Sequence, residues 1–207
     1  MLKISHTEPM AQGGRRYVYV HPDDDHKVVK ILKNHSKPDA RRKAAAWYKR
    51  LRPLDHFDDN IRELNAFISL RLKSKAVLPF FPHCDGLIET DKGFAIMTDC
   101  IRDDSGNVSL NMREYREKNG ITVELLKALD VFISMLKKYS IITRDIHDHN
   151  LMVQKTATGL HIVMIDGLGN SDFIPIANSI SLIAKRKIKR KIRRFYNQPY
   201  MKGASHA

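Results

Sequence analysis

The chain has 207 residues, of which 43% are hydrophobic and 29% charged, enough apolar matter for one compact domain or two small lobes sharing a cleft. This balance excludes wholesale disorder. Its 36 Lys and Arg against 23 Asp and Glu leave a formal charge of +13, which favours partners carrying phosphate or another anionic group.

In chain order, the opening MLKISHTEPM lacks the long apolar core of a signal peptide, and no later apolar run is long enough to span a bilayer. A cytoplasmic location is expected. EPMAQGGRR then sets Gly13 and Gly14 where a tight loop enters a strand. Strands at 17–20 and 27–32 flank a Pro/Asp turn and read as a hairpin. DARRKAAAWYKRL, 39–51, is rich in helix formers after a Pro-Asp start and predicts a basic helix. A second helix is predicted over 59–73, where Ile61, Leu64, Ile68 and Leu72 recur at helical spacing.

Strands at 87–90 and 94–98 flank the turn DKG, and RDDSGN follows as a polar connector. The connector divides an N-terminal lobe, 1–101, from a C-terminal lobe, 102–207. Cys84 and Cys100 stand in separate segments without CxxC spacing, so neither a disulfide framework nor a four-thiolate zinc site is indicated, and a reducing compartment fits. After a short segment at 112–118, the strongest predicted helix covers 122–139, with Leu125, Leu129, Phe132, Ile133 and Leu136 on one stripe. It runs into TRDIHDHN. The runs LMVQK and LHIVMI around TATG predict another hairpin, and AKRKIKRKIRRFY predicts a basic amphipathic helix over about 180–197.

Antiparallel pairing of the second hairpin sets the start of its first strand beside the end of its second, which brings Asn150 close to Asp166. A carboxylate and an amide oxygen are hard ligands suited to a magnesium ion that keeps water and phosphate oxygens as its other partners. Asp145, across the same loop, is placed to orient an attacking hydroxyl. A zinc reading of His147, Asp148 and His149 lacks a further nitrogen or sulfur ligand at suitable spacing.

TRDIHDHN has the spacing of the kinase catalytic loop, IDGLG resembles the metal-binding DFG segment, and VVKIL resembles the strand that carries the nucleotide lysine. The whole chain resembles the PhoP regulatory network protein family, YrbL, within the protein kinase-like superfamily. The resemblance implies an α+β, small bilobal protein kinase-like fold with an antiparallel-sheet N-terminal lobe and a mainly helical, truncated C-terminal lobe. It implies ATP and Mg2+ as cofactors. Lys30 would grip the nucleotide phosphates, Gly13 and Gly14 would stand in the phosphate-covering loop, and Asn150 and Asp166 would hold magnesium. Arg144 and Asp145 would fall on the catalytic arginine and base. Lys30, an ammonium inside an apolar strand, needs an anion, and Glu63 on the 59–73 helix is the candidate. The nucleobase would lie against 97–101.

Departures from the kinase pattern are Thr143 before Arg144, no phenylalanine after Asp166, and two adjacent glycines in place of three spaced ones. About forty residues follow Asp166, too few for the platform that holds peptides, so a small-molecule or saccharide hydroxyl is the expected acceptor. Three readings stay open: an ATP-dependent phosphotransferase; a regulatory nucleotide-binding, pseudokinase-type module acting through a partner; and a basic surface-binding protein on a kinase-like scaffold. For the last, 185–194 would meet an anionic membrane surface, at the inner membrane, ahead of nucleic acid, because few aromatics accompany its charges.

Overall fold

In the computed structural model, which describes residues 1–144, 146–168 and 181–201, the runs RYVYVH and DDHKVVKIL pair antiparallel as β2 (Arg16–His21) and β3 (Asp24–Leu32). With β1 (Ala11–Gln12), β4 (Cys84–Thr90) and β5 (Gly93–Asp99) they form a five-stranded sheet of order β1-β2-β3-β5-β4. Alternation of side chains gives the sheet two different faces. One buries Ile4, Tyr19, Val29, Ile31 and Ala95 as an apolar cluster. The other buries Arg16, Val28, Lys30, Leu32, Ile96 and Thr98, two of them cations. Asp91, in the β4–β5 turn, accepts from the amides of Ile4 and Ser5 and fastens the N-terminus to the sheet. Met1–Ile68 and His83–Cys100 make up this first unit.

The segment predicted as one helix over 39–51 forms two, α1 (Pro38–Ala44) and α2 (Trp47–Arg50), with Ala45 and Ala46 extended between them. Neither piece buries a residue, so helix propensity has no packed face to reinforce it, and short helices are marginal by themselves. The break has its own hydrogen bonds: Arg42 Nε donates to the Arg50 carbonyl at 2.9 Å and Arg50 Nε to that of Ala45 at 2.8 Å. Helix α3 (Asp59–Lys73) forms where its spacing predicts, but with a different side turned inward. Asn60, Glu63, Phe67 and Leu70 are buried, whereas Ile68 is 48% and Leu72 83% exposed. The ion pairs of Glu63, described below, fix this rotation.

The second unit comprises Ser69–Pro82 and Ile101–Ala207. Here β6 (Leu110–Asn111) leads into α4 (Met112–Asn119), whose capping box joins Asn111 and Glu114. Helix α5 (Val123–Lys138) starts at Thr122, whose hydroxyl accepts from the Leu125 amide. Its stripe of Leu125, Leu129, Phe132, Ile133 and Leu136 is buried along its whole length, each side chain contributing about 1.5–3 kcal/mol. Strands β7 (Leu151–Thr156) and β8 (Gly159–Met164) form the second hairpin, joined by β6 in the order β6-β7-β8. The last helix, α6 (Ser181–Tyr196), buries Ala184, Ile188, Ile192 and Phe195. Among the described residues no helix is long and apolar enough to cross a membrane.

Candidate functional site

In the first unit, Lys30 and Glu63 meet. The ammonium donates to Glu63 Oε1 at 2.7 Å, and both side chains are nearly sealed from solvent. The other oxygen, Oε2, accepts from Arg16 Nη1, and Arg16 is itself buried. Register explains the arrangement: Arg16 pairs with Leu32, so on this face of the β2–β3 ladder it is the diagonal neighbour of Lys30. One carboxylate on α3 thus collects two cations from adjacent strands. Removing charges from water costs several kcal/mol each, so the cluster persists only with this close pairing.

Thr98 stands on the same face, paired across β3–β5 with Val28, two residues along β3 from Lys30. It is buried, and its hydroxyl has no hydrogen-bond partner among the described residues. An orphaned buried oxygen near a buried lysine is a local cost that a ligand donor would remove. The amides of Asp99 and Cys100 are already engaged by the carbonyls of His83 and His26. Gly13 and Gly14 lie in the β1–β2 turn, where the Gly13 amide donates to the Arg16 carbonyl at 2.9 Å. A Cβ on Gly14 would meet nothing within 4 Å, and one on Gly13 only the Arg16 carbonyl at 3.9 Å. The packing of the chain therefore does not itself demand glycine at either place.

In the second unit, the pairing of Leu151 with Met164 continues one step as a bond from the Ile165 amide to the Asn150 carbonyl, at 2.9 Å. Asn150 consequently stands beside the residue that precedes Asp166. The two ends of the loop also touch: Thr143 bridges Leu168, and the Arg144 amide donates to the Gly167 carbonyl at 2.7 Å. Gly167 has φ of 84°, a conformation costly for residues with a Cβ, and its amide bonds the Asp166 carboxylate at 2.6 Å. The Arg144 guanidinium lies 3.7 Å from Asp166 Oδ1, while Lys191 of α6 donates to the Arg144 carbonyl. Asp145 lies outside the described residues.

A carboxamide and a carboxylate oxygen, as on Asn150 and Asp166, are of the hard type that magnesium would take, together with water and phosphate. The Asp166 side chain is 41% exposed. Among the described residues no group of three or more His, Cys, Asp or Glu converges as a metal cage. His147 and His149 instead stack on each other, 5.2 Å between centroids and 13° between planes.

Sequence reasoning missed Arg16, Thr98 and the anchor of the loop, Asp148. The Asp148 side chain is 2% exposed and accepts from Arg113 Nη2 at 2.9 Å and Nε at 3.1 Å, with Arg116 Nη2 at 3.5 Å. Burial pushes its carboxyl up, but the Arg113 hydrogen bonds and charge, the His149 amide and Arg116 together hold it below the usual carboxylate range. A sequence signal existed in Arg113 and Arg116, spaced to share one face of a short helix.

Residues 2–200 match the family described as PhoP regulatory network protein YrbL. The chain is 27% identical to the protein YrbL of Escherichia coli strain K12 over 207 residues, covering 96% of this chain and 88% of that one. YrbL of Shigella flexneri aligns with the same identity and coverage. Among solved structures, the BubR1 kinase domain superposes with a TM-score of 0.50 at 15% identity, over 81% of this chain and 48% of that chain. The present chain thus spans about half the length of that kinase chain, and at this identity the likeness concerns the fold alone. An antiparallel sheet with a buried lysine–glutamate pair, a helical second unit and a match along nearly its entire length place the chain in the PhoP regulatory network protein YrbL family, with a protein kinase-like α+β fold.

Proposed function

We propose that the protein is an ATP- and magnesium-dependent phosphotransferase acting on a hydroxyl of a small molecule or saccharide. The observation that carries this reading is the buried Lys30–Glu63 pair at 2.7 Å, an ammonium held in an apolar sheet face by a helix carboxylate. In this assignment Lys30 engages the α and β phosphates, Gly13 and Gly14 leave room for the phosphates to approach backbone, and the Thr98 hydroxyl receives a donor from the nucleotide. Asn150 and Asp166 hold magnesium, which neutralises charge on the phosphates. Arg144 keeps Asp166 oriented. Asp145 takes the proton of the acceptor hydroxyl as its oxygen bonds to the γ-phosphorus and the bond to the β,γ-bridging oxygen breaks, releasing ADP. Catalysis is then mostly positioning and charge stabilisation.

Calorimetric titration with ATP, with and without magnesium, followed by a transfer assay on a panel of hydroxyl acceptors, tests the reading. Asp145→Asn is expected to abolish transfer and spare nucleotide binding, and transfer retained in that variant would remove Asp145 as base. Lys30→Met is expected to weaken ATP binding at least tenfold. A second reading, a regulatory nucleotide-binding module, draws on Thr143, which is buried and bridged to Leu168 at the position where the kinase pattern has histidine. Magnesium-dependent ATP binding with no turnover on any acceptor would favour it.

A further inference from the structure

The tryptophan of this chain, its only one, is on the surface. Trp47 is 76% exposed, and beside it Tyr48 on α2 is 52% and Leu51, which caps the end of α2, 80% exposed. The rings of Trp47 and Tyr48 pack edge to face with centroids 6.0 Å apart. The two arginine bonds across the Ala45–Ala46 break hold this apolar tip in place. Around it stand Lys43, Lys49 and Arg50, all exposed, while Asp39 is the one acid between residues 38 and 51. An aromatic and aliphatic tip with a cationic collar has the chemistry of a bilayer interface, where indole and phenol rings settle at headgroup depth and lysines reach phosphate.

A second and independent observation comes from α6. Among its described side chains the apolar ones, Ala184, Ile188, Ile192 and Phe195, are buried, so what these residues leave to solvent is charge. Lys185, Lys189 and Arg193 form one exposed row and Arg186, Arg190 and Arg194 another, and the helix contains no acid. At 3.6 residues per turn these six side chains cover about half of the helix circumference, and their long stems can reach a common plane. Next to them Lys137, Lys185, Ile188 and Lys189 line a cavity of about 370 Å³, with lysines placed for phosphate oxygens and an aliphatic wall.

We propose that the protein binds anionic phospholipid bilayers through two separate contacts, Trp47, Tyr48 and Leu51 of the first unit entering the headgroup region and, independently, the outer face of α6 in the second unit binding lipid phosphate. The inference stands apart from the phosphotransferase reading. Nucleic acid fits less well: Leu51 has no counterpart on a phosphate backbone, Phe195 is buried, and the Tyr196 hydroxyl bonds Asp130, which leaves α6 no ring on which bases stack.

The test uses the full chain and vesicles of phosphatidylcholine, either pure or with about one quarter phosphatidylglycerol. The expected result is sedimentation with the anionic vesicles only, with a blue shift of Trp47 emission, and release as salt rises from about 0.05 to about 0.5 M. Lys185→Gln with Lys189→Gln and Arg193→Gln, and separately Trp47→Ala with Leu51→Ala, are each expected to weaken partition about tenfold while circular dichroism is unchanged. Wild-type protein that stays in the supernatant with anionic vesicles at low salt would overturn the proposal. So would sedimentation that leaves Trp47 emission unmoved, because the tip would then not enter the lipid. If the triple variant partitions like wild type but loses binding to duplex DNA, α6 is a nucleic-acid surface and its assignment here is wrong.

Discussion

Glu63 and Asp148 are both carboxylates sealed from solvent, and each collects two cations, yet their partners differ in one respect. Lys30 and Arg16 are buried, as Glu63 is, whereas the Arg113 side chain is half exposed. In the first case all the charge lies within the sheet–helix layer, and no member can turn to water if another is lost. In the second, an exposed guanidinium reaches inward to hold a loop. The contrast separates a charged cluster built into the core of its unit from a brace that fixes backbone.

The largest effect is expected at Glu63. Glu63→Ala removes the carboxylate that two buried cations share and should cost roughly 3–5 kcal/mol, read as a fall in the urea midpoint. Replacing the whole trio, Arg16→Met, Lys30→Met and Glu63→Leu, should restore most of that stability, and under the proposed function it leaves ATP binding lost. Stability that remains as low as in Glu63→Ala would mean that the cluster is structural before it is functional.

Asp148→Ala comes next, at roughly 1–3 kcal/mol, because Arg113 can rehydrate. This carboxyl titrates below its ordinary value in the folded chain. Its contribution is therefore fully present above the unfolded pKa of about 3.9 and is lost as pH falls through the lower folded value. Asp148→Asn should accordingly remove part of the acid sensitivity of unfolding, and an unchanged acid transition would show that the brace carries no linkage.

The smallest effect belongs to Tyr196, whose hydroxyl donates to Asp130 at 3.3 Å and joins α6 to α5. Burial, then the neighbouring carboxylate, pushes this phenol up to about 12. Because the folded value is the higher one, its contribution is complete below the unfolded value of about 10 and disappears as pH rises through about 12. Absorbance titration should show late tyrosine ionisation, and Tyr196→Phe should remove the step near 12 at a cost of about 0.5–1 kcal/mol.

Much of the fold was legible because burial and periodicity agree. The α5 stripe has helical spacing and nothing polar to contradict it, and the 151–164 hairpin states its own register through TATG. That register is also why Asn150 and Asp166 could be brought together on paper. Arg16 could not be placed in the same way, because the β2–β3 register shifts between Val20 and His21, and a shift of one residue sends a side chain to the opposite face. The inward side of α3 was misread for a related reason: a stripe of Ile61, Leu64, Ile68 and Leu72 weighs aliphatic residues, whereas the rotation is set by a charge whose two partners lie far from it in sequence. The helix over 39–51 fails because propensity was its only support.

The contact of Lys191 with the Arg144 carbonyl has a consequence for biosynthesis. The two residues are 47 positions apart, and Tyr200, whose ring lies 4.3 Å from the Arg116 guanidinium, comes later still. A chain emerging from the ribosome N-terminus first exposes the loop of residues 143–150 well before the residues that secure it have been made. The first unit can set its Lys30–Glu63 pair early in synthesis, but the loop acquires its last fastening only when α6 has been translated and has folded back. A nascent chain stalled before residue 191 would therefore carry the lysine–glutamate pair with the loop not yet fixed.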